Sequence, residues 1–573
     1  MTRARVAVTG RRHSEKEQLI RMTRNFFARF FENDLLSPQA DFHATLSQAL
    51  GLLATPGLFV PLLLLPMLMD PDVARSWEIK LIFVFFSMLV MGALSILEWD
   101  ALMLDHRDQI ILMPLPVRPR TIFAAKFAAL AVFLIIFSVD VNAGSMLLLP
   151  PLEAQGRTAG LLNLARYGVA HGAGTIGASA FTFLSFVALQ GILINTCKPK
   201  WFRRISTVIQ VISVLGMVAA LFFFPSILEE MPRWKTEGAV IARYFPPMWF
   251  VGICEVLQGT ADLGFRSLAR TGLTGLAMAG ATLTVCYVVA YGRYTRASLE
   301  GANAPKRKTS RFRAVRTALV HRLLRNPLQR AIFRFSMQTM LRSSKHRLIL
   351  AAYVGTGLAL VLEESVALAL ESGQKWKPAQ EVAMLSLPLV ISFFLLSGMR
   401  FIFNIPSELS SNWIFQVTER RERADYLAGV RKCMALLVVT PVAIAVLLAY
   451  PFLLDGETAL VHAAYCSLLS LIMVEALLWR LEKLPFTCSY VPGRVPVVAL
   501  LAGYWLAFML YTHLMAYLEG VMLHSRLATA ICLSGLLSAW CGLAAYRKRA
   551  RRESLGFLFH QEPEPVVCTL NLG

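Results

Sequence analysis

The stretch ISTVIQVISVLGMVAALFFFPSI, from Ile205 to Ile227, contains no charged residue. A helix of about twenty apolar residues spans the hydrocarbon core of a bilayer, which is about 30 Å thick. Similar stretches recur along the whole chain of 573 residues, of which 56% are hydrophobic and only 16% are charged. Ordinary soluble proteins carry about 25% charged residues. The sequence therefore predicts an all-α fold, a polytopic bundle of transmembrane helices.

The apolar stretches predict about twelve transmembrane helices, arranged as six plus six. The first set comprises residues 46–69, 81–98, 121–141, 171–195, 205–227 and 271–292. The second set comprises residues 347–369, 381–403, 432–453, 458–479, 496–517 and 522–545. The predicted domains are a cytoplasmic amphipathic segment (1–45), the first six-span half (46–292), a basic cytoplasmic linker (293–346), the second six-span half (347–546) and a cytoplasmic tail (547–573).

The net charge of +21 is concentrated in alternate loops between the apolar stretches. Arginine and lysine crowd the amino-terminal tail, the loop at Lys198 to Arg204 and the tail after Arg547, whereas Glu229 and Glu230 lie in an intervening loop. Basic loops remain in the cytoplasm by the positive-inside rule. We therefore expect both termini to be cytoplasmic, and we expect the basic residues to orient helices in the bilayer rather than to bind nucleic acid.

The chain lacks the common sequence motifs of nucleotide binding, hydrolysis and metal binding. It contains no G-x-x-x-x-G-K-[ST] phosphate loop, no G-x-S-x-G elbow and no H-E-x-x-H helix. No two of the nine cysteines have the C-x-x-C spacing of a zinc or redox site. We therefore predict no catalytic residue, no metal and no cofactor in this chain.

Charged residues inside transmembrane segments usually mark functional sites. The clearest one is Glu475, in the stretch LIMVEALLWR from Leu471 to Arg480. Its alternative role is structural, through an ion pair with Arg480 or a position near the inner boundary of the span. So few charges fall within the predicted spans that an ion-coupled transport mechanism is disfavoured.

A basic segment with an apolar stripe precedes each predicted half. In the first segment, Leu19, Met22, Phe26, Phe30 and Phe31 recur at helical spacing; in the second, Val315, Leu319, Leu323 and Leu324 do so. Helices of this kind lie along membrane surfaces. The alternative is an ordinary packed helix of a cytoplasmic domain.

The loops before the third and ninth predicted spans resemble each other in length and in their mixture of charged and apolar residues. An ungapped alignment pairs Arg118 with Arg423 and Lys126 with Arg431. Transporters often contain such internal repeats. We therefore expect the two halves to be related by duplication.

The segment ILMPLPVRPRTIFAAK, from Ile111 to Lys126, precedes the third predicted span. Its distinctive positions are Leu112, Leu115, Pro116, Val117, Ile122 and Lys126. The segment resembles the coupling region of type-two ABC exporter permeases, in which a short helix docks on the ATPase. Prolines break the chain between two helices, and the apolar side chains are available to a partner. The alternative is a helix that lies in the headgroup layer.

A second likeness to that family lies in FPPMWFVGICEVLQG, from Phe245 to Gly259. The matching residues are Pro246, Pro247, Trp249 and Phe250. This stretch is similar to the start of the re-entrant outer helices of type-two exporters. An interfacial aromatic anchor is the alternative. The segment PFTCSYVPG, from Pro485 to Gly493, also looks typical of a bacterial subgroup of these permeases. The sequence suggests no mechanism for this segment.

The resemblance implies the membrane permease of an ATP-driven exporter in a bacterial cytoplasmic membrane. Two copies of a separate ABC ATPase, which would bind ATP and Mg²⁺, would dock on the two loops. The second loop departs from the family pattern, because Thr418 to Arg421 replace the L-P-V turn. Its candidate docking residues are Phe415, Val417 and Leu427.

Two other function classes stay open at this stage. A major-facilitator-like secondary carrier also has six plus six spans, although no clean G-x-x-x-D-R-x-G-R-R motif follows the second span. A membrane-embedded lipid-modifying enzyme would use Glu475 or His171 as an acid–base group. For the permease we expect an amphiphilic or lipid-like substrate.

Overall fold

The computed structural model describes residues 15–28, 30, 57–70, 73, 76–102, 117–154, 161–236, 243–297, 324, 326–370, 378–407, 423–479, 481, 484–487 and 497–550. The regular elements within these ranges are all helices, and no β-strand occurs among them. Eleven of the helices are long and apolar enough to cross a membrane. The predicted all-α polytopic bundle is therefore confirmed, and the protein is a multi-pass membrane protein.

The chain forms two compact units. The first comprises Met1–Gln210 and Phe224–Ala304, and the second comprises Val211–Phe223 and Pro305–Gly573. The middle of the fifth predicted span thus belongs to the second unit, although its two ends belong to the first.

Eight helices carry the described part of the chain before residue 298. They are α1 (Glu15–Ala28), α2 (Gly57–Leu68), α3 (Trp77–Leu97), α4 (Pro119–Glu153), α5 (Leu161–Thr196), α6 (Pro199–Thr236), α7 (Pro246–Leu257) and α8 (Leu263–Ala297). A single turn, Trp99–Leu102, follows α3.

The helices after residue 326 include two that are interrupted by π-helical turns. They are α9 (Pro327–Arg342), α10 (Ser344–Leu370), α11 (Pro378–Ile402), α12 (Arg423–Met434), α13 (Thr440–Ala449), α14 (Gly456–Leu477), α15 (Val497–Met509), α16 (Met515–Leu523) and α17 (Arg526–Ala550). The π-helical turns are Ala435–Val439, between α12 and α13, and Leu510–Leu514, between α15 and α16.

Each predicted span overlaps a helix of the described residues, and several of these helices extend beyond the predicted bounds. The first predicted span overlaps α2, while residues 46–56 lie outside the described residues. The span predicted to end at residue 141 continues to Glu153, and the next helix begins at Leu161 rather than at residue 171. The extensions contain polar residues that hydropathy alone excludes from a span. Some of these side chains bond to other segments of the unit, as Glu153 does to Lys80 and Gln258.

An amphipathic helix packs on the first helix after the predicted coupling loop in each unit. In the first unit, Phe26 of α1 and Phe30, which follows α1, are buried against α4. In the second unit, α9 packs on α12, where Gln329 bonds to Asp425 and a Cβ at Gly429 would collide with the α9 backbone. The apolar faces of α1 and α9 therefore contact protein. Val315, Leu319 and Leu323 lie outside the described residues, whereas Leu324 is buried in the core of the second unit.

Candidate functional site

A group of ionisable side chains is buried at one end of the first unit. Lys80 lies in the first turn of α3, Glu153 is the last residue of α4, and Glu255 lies near the end of α7. The Lys80 Nζ atom is 2.5 Å from Glu255 Oε1 and 3.5 Å from Glu153 Oε1. None of the three side chains is more than 10% exposed. We call these three residues the charge cluster.

The segment that follows α7 adds hydrogen bonds to the charge cluster. Gln258 accepts a hydrogen bond from Lys80 and donates one of 2.9 Å to Glu153 Oε2. The Thr260 hydroxyl donates to Glu255 Oε2 over 2.6 Å. Gly259 turns the chain between them with a φ of +86°, a conformation that favours glycine.

Neutral polar side chains continue from the charge cluster into the bundle. Asn142 of α4 donates to the Ser87 hydroxyl of α3 over 2.9 Å, and Ser87 bonds in turn to Ser179 of α5. His171 Nε2 lies 3.0 Å from the Ser145 hydroxyl. Residues three or four apart share a face of a helix. The polar residues of α3, α4 and α5 therefore form one continuous row between the three helices. We call this row the polar seam. From Asn142 to Glu153 it extends about 16 Å along α4.

The charges of the charge cluster and the buried histidine of the polar seam indicate which ligands this unit could bind. The three charged groups carry one positive and two negative charges when ionised, so the cluster can take up a proton or a cation. His171 is fully buried, and its Nδ1 has no hydrogen-bond partner in the described part of the chain. Buried ionisable groups in membrane helices are usually functional. Lys80, Glu153 and Glu255 lie outside the predicted spans, and the structure buries all three at this end of the first unit.

The predicted re-entrant element forms α7 and supplies one member of the charge cluster. Pro246 and Pro247 occupy its first turn, where proline is tolerated. Trp249 donates its indole N–H to the Arg243 carbonyl oxygen over 2.6 Å, and Phe250 is fully buried. The helix has 12 residues and is about 18 Å long, too short to cross a bilayer.

The predicted coupling residues of the first loop have two different environments. Leu112, Leu115 and Pro116 lie outside the described residues. Val117 packs at the edge of the core, and Ile122 is fully buried. Lys126 is 2% exposed, with Nζ 5.1 Å from the ring centroids of both Phe26 and Phe30. Ile122 and Lys126 therefore join α4 to α1, and neither side chain reaches the surface of the unit.

The corresponding residues of the second loop are placed similarly. Phe415 and Val417 lie outside the described residues, and Leu427 is buried in the core of the second unit. Any direct docking contact would therefore come from the loops themselves.

Glu475 has an ion-pair partner within the second unit. Arg431 of α12 places Nη1 3.4 Å from Glu475 Oε1, and the two side chains are 14% and 8% exposed. Arg480, the partner considered from the sequence, lies outside the described residues. Arg431 is the residue that the repeat alignment pairs with Lys126, so both halves bury a cation at this position.

The first residues of the segment PFTCSYVPG form a compact structural element. Phe486 has a φ of +69° and is 1% exposed. Its ring packs edge-on against Phe335, His346 and Phe403 at centroid distances of 6.0, 5.0 and 5.5 Å. Its backbone exchanges hydrogen bonds with Phe403 and Ser407. This part of the segment joins α9, α10 and the end of α11.

Comparisons of the chain with protein-family models, with curated proteins and with solved structures found no match.

Proposed function

We propose that this protein is the membrane permease of an ATP-driven ABC exporter, with separate ATPase subunits that dock on the loops before α4 and α12. The observation that best supports the proposal is the length and burial of α7. A short apolar helix, buried against α3, α5 and α8, occupies the place that the family resemblance assigns to a re-entrant outer helix.

The length of α4 supports a mechanical link between the docking loop and the charge cluster. This helix begins at Pro119, directly after the predicted docking segment, and ends at Glu153. Its 35 residues extend about 52 Å. A movement imposed on the loop by ATPase closure would reach Glu153 through one continuous helix, and Glu153 contacts Lys80 and Gln258 beside α7.

An apolar groove beside α7 supports an amphiphilic substrate. The groove has a volume of about 460 Å³, and its lining includes Phe181, Trp249 and Met278. The hydroxyl groups on its wall belong to Ser185, Thr271, Thr274 and Thr282. A lipid-like molecule fits this composition better than a charged solute does.

Affinity purification in mild detergent tests the ATPase partnership. The full chain would be recovered from native membranes, and co-purified proteins would be identified by mass spectrometry. We expect an ABC ATPase at two copies per chain, lost in the Leu112→Glu/Leu115→Glu variant. The control is Leu161→Glu/Leu162→Glu, because these two leucines at the start of α5 are each 84% exposed. A well-folded wild-type chain without an ATPase would contradict the proposal.

The charge cluster favours one second candidate, an ion-coupled secondary carrier. Proton-coupled carriers place carboxylates inside the helical bundle, as Glu153 and Glu255 are placed here. This candidate predicts that a pH gradient alone drives export of a fluorescent amphiphile from proteoliposomes of the purified chain. The Glu153→Gln variant would abolish that transport. Transport only in the presence of ATP and an ATPase subunit would exclude it.

A further inference from the structure

A separate group of metal-binding side chains is buried in the second unit. His462 and Cys466 belong to α14, and Glu519 belongs to α16. The three side chains are 0%, 1% and 0% exposed. One potential ligand atom from each residue can be chosen so that all three lie within 4.8 Å of one another.

Local helix geometry explains why these three residues meet. His462 and Cys466 are four residues apart, so they lie on one face of α14 about one turn apart. Glu519 follows the π-helical turn Leu510–Leu514, which interrupts the helix that contains it. Such turns are frequent at functional sites because they shift the helix face that follows.

The distances within the group are close to those of a tetrahedral metal site. Bond lengths of about 2.0–2.1 Å to nitrogen and 2.3 Å to sulfur give a nitrogen–sulfur separation of about 3.5 Å around zinc. Cys466 Sγ lies 3.7 Å from His462 Nδ1 and 3.8 Å from Nε2. His462 Nδ1 and Glu519 Oε1 are 2.8 Å apart, a hydrogen bond that a metal would replace after a shift of about 0.5 Å.

One hydrogen-bond acceptor of this group of three residues has no donor in the part of the chain that the structure describes. Glu519 Oε2 is buried and has no hydrogen-bond partner within the described ranges. A buried carboxylate oxygen without a partner is costly. Binding of a cation would satisfy it, together with the thiolate and the imidazole.

We propose that His462, Cys466 and Glu519 bind a divalent transition metal ion of the zinc type. One nitrogen, one sulfur and one oxygen ligand suit such an ion better than Mg²⁺ or Ca²⁺, which prefer all-oxygen sites. The Cys466 thiol releases its proton on binding, and water completes the coordination. The bound metal ties α14 to α16. This proposal does not depend on the exporter function.

Cobalt is the probe for the test, because thiolate-bound Co²⁺ absorbs in the near ultraviolet and tetrahedral Co²⁺ absorbs in the visible. The full chain, purified in detergent and stripped with a chelator, would be titrated with Co²⁺ and then with Zn²⁺. We expect one Co²⁺ per chain, both absorption bands, displacement by Zn²⁺ and a higher melting temperature with either metal. Mass spectrometry of the metal content would confirm the stoichiometry.

Variants separate this site from adventitious binding. Cys466→Ser should lose the near-ultraviolet band and bind at least about tenfold more weakly, and Glu519→Gln should also weaken binding. Cys433→Ser is the control, because Cys433 is equally buried in the same unit but lies outside the group. The proposal is overturned if folded wild-type protein shows neither the thiolate band nor a melting shift with metal, or if Cys466→Ser binds Co²⁺ as the control does. Because the wild-type titration needs no variant, a folding defect in Cys466→Ser leaves that part of the test intact.

Discussion

The Nζ atom of Lys80 lies 3.5 Å from a carboxylate oxygen of Glu153, and both side chains are almost completely buried. Lys80 is in the first turn of α3 and Glu153 is the last residue of α4, so the pair joins two helix ends. Glu255 of α7 binds the same ammonium group. Removal of Lys80 would leave two buried carboxylates without their cation, and an uncompensated buried charge is costly.

Substitution of Lys80 by methionine should strongly destabilise the protein. The side-chain volume is nearly kept, but Glu153 and Glu255 lose their cation. We expect a loss of about 3–5 kcal/mol in the free energy of unfolding. Denaturant titration of detergent-solubilised protein measures it. The triple variant Lys80→Met/Glu153→Gln/Glu255→Gln should recover part of the loss.

The control for this experiment is Lys16→Met, because Lys16 is an exposed lysine of α1. Its effect should lie within about 0.5 kcal/mol of zero. Equal stability of Lys80→Met and the control would mean that the carboxylates do not need the ammonium group.

The fold class could be predicted from the sequence because bilayer thickness sets the length of an apolar helix. The charge cluster could not, although its residues are visible in the sequence. Hydropathy predicts the end of one span at residue 141, which leaves Glu153 outside that span. The helix ends at Glu153, where Lys80 and Gln258 bind the carboxylate, and such contacts between distant segments cannot be read from local composition.

The environment of Glu475 shows the same limit. The sequence predicts Glu475 as a charge inside a span and suggests the nearby Arg480 as a partner. The structure shows an ion pair with Arg431, on α12, while Arg480 lies outside the described residues. The rotation of α12 about its axis, relative to α14, decides which side chains face each other. That rotation depends on packing in the whole unit, including α9.

A double-mutant cycle on Arg431 and Glu475 should show strong coupling. Arg431→Met and Glu475→Gln each leave a mostly buried group without its partner, so each should destabilise the protein. In the double variant both charges are absent, and the loss should be smaller than the sum of the two by about 1–3 kcal/mol. Denaturant titration of the four proteins provides the cycle.

The exposed pair Arg526 and Glu457 is the matched control, with side chains 91% and 70% exposed and 3.2 Å between the paired atoms. Its coupling should be at most about 1 kcal/mol. Additive effects at Arg431 and Glu475 would show that the two residues act independently, and would return Glu475 to the candidates for direct contact with substrate.

Phe486 should respond to substitution through both its ring and its backbone. Phe486→Ala removes a buried ring that contacts three others, with an expected loss of about 3–5 kcal/mol. Phe486→Gly removes the same ring but also relieves the positive φ, which costs a residue with a Cβ about 1–2 kcal/mol. We therefore expect the glycine variant to be the more stable of the two, as measured by melting temperature.

Phe403 tests that reasoning, because it is also buried and contacts Phe486 but has no positive φ. There the alanine variant should be more stable than the glycine variant, since glycine costs more backbone entropy. The same order at both positions would contradict the idea of strain at Phe486.

Gly144 should be intolerant of alanine because α2 and α4 approach each other there. A Cβ at Gly144 would collide with the backbone oxygen of Gly57, and a Cβ at Gly57 would collide with that of Val141. Small residues permit such close helix packing in membranes. Because a backbone atom cannot move aside as a side chain can, we expect Gly144→Ala to lower the melting temperature and to expose α2 to proteolysis.

Gly280→Ala in α8 is the control, since no atom lies within 4 Å of the added Cβ, and it should be neutral or stabilise the helix by up to about 1 kcal/mol. If both alanine variants melted together with the wild type, α2 would not pack on α4 through these glycines.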